Sequence, residues 1–501
     1  MKIAFVSSEV VPFSKTGGLA DVSGALPKYL AALGHKVAVF TPLYRQVRDK
    51  FKLVKSKQTV SVPVGAETVT GEIWKGAFPG TKVPVYFIGN DTYFDRDGLY
   101  GDAKGDYEDN LSRFVFFSRA VLEALKALKF KPDVIHSNDW QSGLVPIYCK
   151  VVYNDDPFIS QAANVYTVHN LAYQGLFWHW DLPLVNIGWE HFNYRELEFF
   201  GKINFMKGGV VFADMVTTVS ATYAKEIQSD EELGAGLQGV LTERAENLRG
   251  ILNGIDYADW DPATDNFLTA KYSVGKLGGK AECKAALQKE SGLAEKPRTA
   301  LVAMITRLVD QKGLDLVAAI IDEMMKEDLQ LVVLGTGLEK YHVLLTEMAQ
   351  KYPRKCALFL KFDNALAHRI EAGADMFLMP SRYEPCGLNQ MYSLKYGTVP
   401  VVRATGGLAD TVTDATPETI RAGTANGFSF VPYEGSALLE TLRRALAAYC
   451  DESKWSKLVA TGMQQDWSWA RSAAEYEKVY EETTAEKRAN GTPSAVSELR
   501  A

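Results

Sequence analysis

The chain has few cysteines, and none of the cysteine spacings that build a disulfide framework or hold a metal ion. Five occur among 501 residues, widely separated and with no Cys-x-x-Cys pair: Cys149, Cys283, Cys356, Cys386 and Cys450. An odd, scattered set is typical of reduced thiols in a cytosolic protein. There is also no His-Glu-x-x-His motif and no Cys/His cluster. We therefore expect a cytoplasmic protein without a metal site.

Long apolar runs and an excess of positive charge are absent as well. No stretch is long enough to cross a bilayer, and residues 1–10 have too short an apolar core for a signal peptide and contain Glu9. Lys and Arg (55) do not outnumber Asp and Glu (61), and the net charge is −6. A nucleic-acid or anionic-membrane binder would carry a basic stripe. We expect neither partner, so any basic residue that binds phosphate must be placed locally.

The repeated βα pattern predicts two doubly wound α/β domains. A chain of 501 residues is too long for one hydrophobic core. The first set of buried-strand patterns covers residues 3–6, 37–40, 83–88, 134–136, 165–169 and 216–219, and the second covers residues 301–305, 331–334, 357–360, 376–379, 399–402 and 428–431. The pattern pauses at residues 248–256, which argues against a single (β/α)₈ barrel.

Helices are predicted between these strands, notably at residues 110–128 and 196–215. Residues 59–80 alternate more strongly between apolar and polar side chains and predict a hairpin inserted in the sheet. After residue 436 the chain is helical, and a final helix carries aromatic residues from Trp467 to Tyr480. We place the first domain at residues 1–247, the second at 248–465, the final helix at 466–482 and a flexible tail at 483–501.

Two glycine-rich turns lie close together in residues 379–412. One runs through Glu384-Pro385-Cys386-Gly387 and the other through Thr405-Gly406-Gly407, and each joins a strand to a helix. Such turns place helix N-termini, with unpaired N–H donors and the positive end of the dipole, at the rim of a parallel sheet. An ordinary loop with a solvated glutamate is the plain alternative. The joint occurrence of both turns favours an anion-binding site with Glu384 among the donors.

The sequence of the second turn has an echo in the first half. Thr16-Gly17-Gly18-Leu19-Ala20-Asp21 recurs at residues 405–410, and both copies lie at a loop-to-helix junction. Chance is possible for so short a string. The physical interpretation is two anion-accepting helix N-termini, one in each domain.

Polar residues follow the predicted strands where ligands bind in doubly wound sheets. They are Lys15 after the first strand, His136, Asn138, Asp139 and Trp140 after another, His169 and Asn170, and then Arg307, Lys312 and Glu384 in the second half. If both edges face each other, the ligand lies in an inter-domain cleft. Three cations, Lys15, Arg307 and Lys312, in an acidic protein suit a diphosphate.

Motifs of several enzyme classes are missing. There is no Gly-x-Ser-x-Gly elbow and no P-loop lysine. Glu384 has no partner carboxylate nearby in the sequence, which argues against a glycosidase.

The ordered motifs together resemble the bacterial glycogen synthases and plant starch synthases, retaining glycosyltransferases of family 5. The resemblance runs almost end to end, through residues 15–21, Asp139-Trp140, residues 167–170, residues 252–256, Arg307-Leu308, Lys312-Gly313, residues 384–388 and residues 405–410. It implies the GT-B fold, with two Rossmann-like domains, a deep inter-domain cleft and a final helix that crosses back to the first domain. It also implies transfer of glucose from ADP-glucose to the non-reducing end of an α-1,4-glucan, with retention and without a metal or other cofactor.

The resemblance also implies a set of site residues. Lys15, Arg307 and Lys312 would hold the diphosphate, and His169, Asn253 and Glu384 the glucose. The donor site would further include Gly17, Gly18, Asp21, Gly335, Phe362, Cys386, Gly387, Leu388, Thr405, Gly406 and Gly407. Asp139 and Trp140 would lie near the acceptor.

The chain departs from the family pattern at three positions. Tyr392 stands where the broader retaining GT-B pattern has a second glutamate, Gln141 where many members have histidine, and Phe362 where some have tyrosine. We expect these changes to bear on acceptor affinity and nucleotide preference, and not on the class of reaction. Two alternatives stay open: a non-catalytic sugar-nucleotide sensor or glucan-binding protein on the same fold, and a transferase that uses UDP-glucose. The sequence leaves the oligomeric state unassigned.

Overall fold

The protein, described by a computed structural model over residues 1–102 and 104–491, divides into two compact units. The first unit contains residues 1–219, 224–251 and the described residues from Trp469 onward. The second unit contains residues 220–223 and 252–468. Each is an α/β domain built on a largely parallel sheet, as the repeated βα pattern predicts.

The first unit is organised around a nine-stranded sheet in its described residues, with the order β14-β13-β9-β8-β1-β2-β5-β4-β3. The strands of this unit are β1 (Lys2–Val6), β2 (Lys36–Pro42), β3 (Val54–Val64), β4 (Glu67–Ala77), β5 (Pro84–Gly89), β6 (Gly101–Asp102), β7 (Gly105–Asp106), β8 (Val134–Asn138), β9 (Ala163–Val168), β10 (Leu176–Trp178), β11 (Glu198–Phe199), β12 (Lys202–Asn204), β13 (Met215–Thr218) and β14 (Leu248–Gly250). The pairs from β14 to β5 are parallel, and β4 and β3 add an antiparallel hairpin at one edge.

The helices of the first unit follow in chain order, and one of them, α8, begins within residues 220–223 of the second unit. They are α1 (Gly18–Ala32), α2 (Arg45–Lys50), α3 (Asp91–Phe94), α4 (Asn110–Ala127), α5 (Leu144–Ile147), α6 (Leu182–Val185), α7 (Phe205–Phe212), α8 (Ala221–Ser229), α9 (Glu231–Gly234), α10 (Gln238–Glu243) and α20 (Trp469–Gly491). Strands β1, β8 and β9 are almost wholly buried, so they form the centre of the core. This burial explains why these strands have continuous apolar sequences rather than alternating ones.

The second unit has a six-stranded, all-parallel sheet in its described residues, with the order β17-β16-β15-β18-β19-β20. Its strands are β15 (Ala300–Leu308), β16 (Leu329–Gly337), β17 (Cys356–Phe359), β18 (Met376–Met379), β19 (Val399–Arg403) and β20 (Phe428–Phe430). Its helices are α11 (Gly278–Glu290), α12 (Leu314–Met324), α13 (Glu339–Lys351), α14 (Asn364–Gly373), α15 (Asn389–Lys395), α16 (Gly406–Thr411), α17 (Pro417–Ala422), α18 (Gly435–Tyr449) and α19 (Glu452–Gln464).

The predicted helix at residues 196–215 is wrong in its first half. Residues 198–204 form the antiparallel strands β11 and β12, and the helix begins only at Phe205. Phe200 and Gly201 have φ values of 49° and 75°. Two consecutive residues with positive φ make a tight turn, which a right-handed helix cannot contain.

The final helix is longer than predicted. Helix α20 runs from Trp469 to Gly491, so residues 483–491, assigned to a flexible tail, are helical. Thr483 and Thr484 are buried, and Thr483 Oγ1 donates to the Val479 carbonyl oxygen at 2.6 Å. The helix belongs to the first unit, where it packs against α1 and β9. Residues 492–501, also assigned to the tail, lie outside the described residues.

The domain boundaries lie a few residues from those proposed at 247/248 and 465/466. The first unit reaches Ile251, because β14 completes the edge of its sheet, and it resumes at Trp469, where α20 begins. No helix in the described part of the chain is long and apolar enough to cross a membrane.

Candidate active site

The loops that carry the predicted site residues of the first unit leave neighbouring strands at the point where strand order reverses. From β1 the chain builds outward through β2 and β5 on one side, and from β8 through β9 and β13 on the other. β1 and β8 are hydrogen-bonded neighbours. Ligands of doubly wound sheets bind at this switch point, beside the carboxyl ends of the strands. The loops after β1, β8 and β9 therefore form one cluster.

A buried carboxylate organises the loop after β1. Glu9 is 3% exposed, and its Oε2 accepts hydrogen bonds from the backbone N–H groups of Thr16 (2.5 Å) and Gly17 (3.1 Å). Its Oε1 accepts from the Thr16 hydroxyl at 2.6 Å and the Tyr100 hydroxyl at 2.8 Å. Sequence reasoning gave Glu9 no role. Its position directly after a buried strand was the available signal.

Lys15 projects from this loop and pairs with a residue on the first turn of α1. Its Nζ lies 2.7 Å from Asp21 Oδ1, and the two side chains are 46% and 28% exposed. Gly17 precedes the first residue of α1, Gly18, and a Cβ at either glycine would have no atom within 4 Å. The packing of the protein therefore does not require glycine at these two positions.

Asp139, predicted on the acceptor side, has a strained backbone and a perturbed carboxyl. It follows β8 with φ 54° and ψ −179°, a region that is almost reserved for glycine and costs about 1–3 kcal/mol. Its Oδ1 accepts the backbone N–H of His169 at 2.8 Å. Burial raises the pKa of Asp139 to about 7, and the charge of Glu9 adds to the increase. The hydrogen bond from His169 lowers the pKa, but by less than burial raises it.

His169 is neutral, and its tautomer follows from a neighbouring amide. The Asn138 side-chain nitrogen donates to the Val6 carbonyl oxygen at 3.0 Å, so Asn138 Oδ1 faces His169 Nε2 at 2.9 Å. His169 Nε2 is therefore the donor, and Nδ1 carries a lone pair. Burial lowers the pKa of His169 to about 3, which keeps the ring uncharged near neutral pH.

Two other residues that follow or end the strands are engaged in packing. Trp140 contacts Phe114 at a ring-centroid distance of 4.9 Å and Phe177 at 5.9 Å. The His136 ring nitrogens pair with the Tyr480 hydroxyl at 2.7 Å and the Thr167 hydroxyl at 2.6 Å. His136 is thus a structural residue of the core, which its place after a predicted strand did not reveal.

The second unit has its own switch point, between β15 and β18, and an ion pair of low exposure lies there. Lys312 Nζ, from the loop after β15, lies 2.6 Å from Glu384 Oε2, from the loop after β18. The two side chains are 15% and 9% exposed. The Ser381 hydroxyl donates to the same Oε2 at 3.0 Å. Both bonds use Oε2, which leaves Oε1 to accept from another donor.

Arg307 and Phe362 offer exposed groups in this unit. Arg307 lies near the end of β15 with an exposed side chain, and in the described residues its guanidinium has no ion-pair partner. Phe362 follows β17 and is 82% exposed. An exposed arginine can bind an anion with two parallel N–H donors, and an exposed ring can stack on a base.

The two glycine turns of the second unit pack directly against each other. The Gly407 N–H donates to the Glu384 carbonyl oxygen at 3.1 Å. A Cβ at Gly406 would lie 2.0 Å from the backbone carbonyl oxygen of Glu384. A Cβ at Gly407 would lie 2.1 Å from the backbone carbonyl oxygen of Cys386. Both glycines are therefore required by backbone packing. Thr405 precedes α16, as Leu388 precedes α15, so each turn opens a helix.

Cys386 and Asn253 also lie at these turns. Burial raises the pKa of the Cys386 thiol to about 12, and the Asn253 backbone N–H bonds to it. The thiol is thus protonated and a poor nucleophile near neutral pH. Asn253 is 7% exposed, and its side-chain Oδ1 has no hydrogen-bond partner in the described residues. A buried acceptor without a partner is costly unless a ligand satisfies it.

Gly335 and Tyr392 have structural explanations. Strand β16 continues through Gly335, where a Cβ would lie 2.1 Å from the Thr306 carbonyl oxygen, so the glycine allows β15 and β16 to pair. Tyr392 stacks on Trp260 with a centroid distance of 3.9 Å, and Trp260 stacks on His368 at 3.7 Å. The residue at the position of the second family glutamate therefore belongs to an aromatic stack.

The structure brings the predicted residues together within each unit. Lys15, Asp139 and His169 lie on neighbouring loops of the first unit, together with Glu9, which was not predicted. Lys312, Glu384 and the turns at 386–388 and 405–407 lie on neighbouring loops of the second unit. Among the described residues, no group of three or more His, Cys, Asp or Glu side chains is placed to hold a metal ion.

Two family models match the chain. The model described as starch synthase catalytic domain covers residues 2–243, and the model described as glycosyl transferases group 1 covers residues 285–458. Together they match both units.

Curated relatives match over nearly the whole chain. A protein named glycogen synthase from Koribacter versatilis is 50% identical over 484 residues, which are 96% of this chain and 98% of that protein. A glycogen synthase from Moorella thermoacetica is 48% identical and covers 98% of both chains.

Two solved structures extend the comparison. The catalytic domain of starch synthase IV from Arabidopsis thaliana, bound to ADP and acarbose, has a TM-score of 0.88 and 35% identity, and covers 96% of this chain and 99% of that one. A sucrose-phosphate synthase from Thermosynechococcus elongatus has a TM-score of 0.59 at 18% identity, a likeness of fold alone.

Proposed function

The chain belongs to the starch and glycogen synthase family of hexosyltransferases, with the two-domain GT-B fold, and on that premise we propose its donor, acceptor and stereochemistry. The enzyme transfers glucose from ADP-glucose to the non-reducing end of an α-1,4-glucan and retains the anomeric configuration. The relative from Arabidopsis was solved with ADP and the oligosaccharide acarbose, which supports both substrate classes.

One observation carries the proposal: the Lys312–Glu384 pair at the switch point of the second unit. Glucosyl transfer builds negative charge on the departing ADP and positive charge on the sugar ring. The pair presents one group of each sign, and low exposure strengthens the interaction of both with a ligand. The ammonium group suits the diphosphate, and the carboxylate suits the sugar.

The diphosphate is the group that Lys15, Arg307 and Lys312 bind in this proposal. Arg307 has no ion-pair partner in the described part of the chain, whereas Lys15 and Lys312 each have a carboxylate neighbour that fixes their position. Preorganised cations stabilise a leaving phosphate without reorganisation during the reaction. We therefore propose that the reaction proceeds without a metal ion, with side-chain cations in that role.

The glucose hydroxyls are donors, and three groups described above are acceptors. They are Glu384 Oε1, Asn253 Oδ1 and His169 Nδ1. The neutral state of His169 matters here, because a protonated ring would have no lone pair to accept a sugar hydroxyl. Glu384 also offsets positive charge on the ring as the bond to the diphosphate breaks.

The nucleotide and the acceptor glucan use the remaining residues. Phe362 offers an exposed ring for the adenine, and Gly17 and Gly18 leave space for close approach of the donor to the backbone. Asp139 lies on the acceptor side, where a carboxyl with a pKa near 7 can hydrogen-bond a glucan hydroxyl in either protonation state. The reduced, scattered cysteines favour the cytoplasm as the site of action.

A donor comparison tests the proposal. The protein is incubated with a maltooligosaccharide primer and either ADP-glucose or UDP-glucose, and nucleotide release and primer length are followed together. We expect sustained ADP release with chain growth, and at least about tenfold slower turnover with UDP-glucose. Binding of ADP-glucose without growth of the primer would identify a sensor instead, and preference for UDP-glucose would overturn the donor assignment.

A further inference from the structure

Glu9 occupies a position that the proposed reaction does not explain by itself. It lies in the buried segment directly after β1, where Ser7 and Ser8 are also fully buried. The Ser7 hydroxyl donates to the Glu9 carbonyl oxygen at 2.8 Å, and the Ser8 hydroxyl pairs with the Tyr100 hydroxyl at 2.7 Å. Hydrogen bonds from neighbouring groups therefore hold both the backbone and the side chain of Glu9 in place.

The Glu9 carboxylate accepts as many hydrogen bonds from the protein itself as it has lone pairs. A carboxylate offers about four lone-pair sites. Two are taken by backbone N–H groups of Thr16 and Gly17, and two by the hydroxyls of Thr16 and Tyr100. A residue that bound substrate directly would keep at least one site for it. The geometry fits an anchor for the loop rather than a ligand-binding group.

The anchored loop is the one that carries Lys15. Thr16 and Gly17 follow Lys15 directly, and α1 begins at Gly18. No side chain caps the N-terminus of α1, because its capping position is Gly17. Without Glu9, the two amides before this helix would lose their acceptor, and the backbone that carries Lys15 would lose its anchor, which leaves only the exposed ion pair of Lys15 with Asp21.

We propose that Glu9 is a positioning residue, whose carboxylate fixes the loop of residues 15–18 so that Lys15 meets the diphosphate of the donor. This inference rests on the proposed function for the role of Lys15, but the anchoring itself concerns the free protein. Misplacement of a catalytic group by about 1 Å can cost about 100-fold in rate. The required property of Glu9 is therefore its reach, and not its charge.

Two substitutions separate reach from charge. Glu9→Gln keeps the length: its oxygen can face the two amides, and its NH₂ group can donate to the hydroxyls of Thr16 and Tyr100, which also accept. Glu9→Asp keeps the charge but is one methylene shorter, so it cannot reach both amides. We expect Glu9→Gln to retain turnover within about threefold and Glu9→Asp to lose about 10- to 100-fold. Most of that loss should appear in kcat.

A double-mutant cycle shows whether Glu9 acts through Lys15. In a Lys15→Ala background, Glu9→Asp should lower turnover by less than about threefold, because the group it positions is already gone. Full additivity of the two losses would overturn the proposal. Glu371→Gln is the matched control: Glu371 is 1% exposed, accepts a hydrogen bond from Ser393 in the second unit and lies outside the site.

Hydrogen exchange gives a readout that needs no catalysis. In the ligand-free protein, the amides of Thr16 and Gly17 should exchange at least about tenfold faster in Glu9→Asp than in wild type, and at the wild-type rate in Glu371→Gln. Equal loss of turnover in Glu9→Gln and Glu9→Asp, no loss in either, or unchanged exchange would overturn the inference. A wild-type protein without transferase activity would refute the proposed function, while the exchange experiment would still test the anchor.

Discussion

Asp139 combines backbone strain with a carboxyl that resists ionisation. Its φ of 54° is stabilised by the bond from the His169 N–H to its own carboxyl, so the side chain helps to hold the strained conformation. The same carboxyl has a pKa near 7 because burial disfavours the charged form. Strain and perturbed pKa values both concentrate at functional sites. Asp139 is therefore a candidate functional residue that lowers the stability of the fold.

The pKa of Asp139 predicts a pH-dependent effect of Asp139→Asn. The unfolded chain releases this proton near pH 3.8 and the folded chain only near pH 7, so the contribution of Asp139 to the wild-type free energy of unfolding falls as pH rises across that window. Asparagine cannot ionise and its Oδ1 can still accept from His169. We expect similar melting temperatures at pH 4 and a variant about 2–4 kcal/mol more stable than wild type at pH 8. Thermal melts across this range check it, and a constant difference between the two proteins would contradict it.

Lys312 and Arg307 should differ in their contribution to stability. Lys312→Ala leaves the poorly exposed Glu384 carboxylate without its cation, which should cost about 3 kcal/mol. Arg307→Ala removes an exposed side chain without an ion-pair partner in the described residues, and should change stability by less than about 0.5 kcal/mol. Urea denaturation of both variants measures the two free energies. Equal losses would show that the Lys312–Glu384 pair is not formed in solution.

At the scale of elements, the repeated Thr-Gly-Gly-Leu-Ala-Asp sequence has two different structural uses. In the first copy the glycines face open space, and the backbone N–H groups of Thr16 and Gly17 donate to Glu9. In the second copy the glycines contact the backbone of the turn at 384–386. The two aspartates also differ, since Asp21 pairs with Lys15 and Asp410 accepts from the backbone and hydroxyl of Thr222. The second copy is therefore a packing motif as well as a helix start.

This difference predicts opposite effects for one substitution at equivalent positions. Gly407→Ala places a Cβ 2.1 Å from the Cys386 carbonyl oxygen and should destabilise the protein by about 1–3 kcal/mol or more. Gly18→Ala meets no atom within 4 Å and should leave stability unchanged or slightly raised, because alanine favours the helix. The melting temperatures of the two variants and of the wild type measure both effects. A similar fall in both would mean that the first turn is packed as tightly as the second.

Helix α20 contributes more of its length to the first unit than its polar sequence suggests. Thr483 and Thr484 are buried, and Lys487 Nζ lies 3.4 Å from Asp214 Oδ2. A chain of residues 1–482 should therefore be about 1–3 kcal/mol less stable than a chain of residues 1–491. Chemical denaturation of the two truncated proteins measures the difference. Indistinguishable denaturation midpoints would show that residues 483–491 do not contribute to stability.

At the scale of the whole molecule, the sequence was sufficient for the architecture because parallel sheets require buried, continuous apolar strands. The patterns at residues 3–6, 376–379 and 399–402 correspond to β1, β18 and β19. The hairpin of β3 and β4 was also signalled by alternation. One error lies at Phe200 and Gly201, where positive φ values interrupt the predicted helix. The other lies in the last turns of α20, where burial of Thr483 and Thr484 extends the helix beyond residue 482.

The site was predictable only in part, for a related reason. Residues directly after strands, such as Lys312 and Glu384, could be placed at the ligand-binding edge from their position alone. Glu9 also follows a strand, but its anchoring role was missed because its partners, Thr16, Gly17 and Tyr100, are distant from it in the sequence. Tyr392 and Gly335 needed the structure as well, since an aromatic stack and a close approach of two strands leave no local sequence pattern.

The central claim is that cations at the switch points of the sheets stabilise the departing nucleotide. Arg307 and Arg354 form a matched pair for testing it, because both are exposed arginines of the second unit. Arg307 lies near the carboxyl end of β15, whereas Arg354 precedes β17 and so lies at the amino ends of the strands of the same sheet.

Turnover of ADP-glucose with a maltooligosaccharide primer is the most direct measurement. The account predicts that Arg307→Ala lowers kcat by about 100- to 1,000-fold, as for loss of one preorganised donor, and that Arg354→Ala stays within about twofold of wild type. Near wild-type turnover in Arg307→Ala, or an equal loss in both variants, would contradict it.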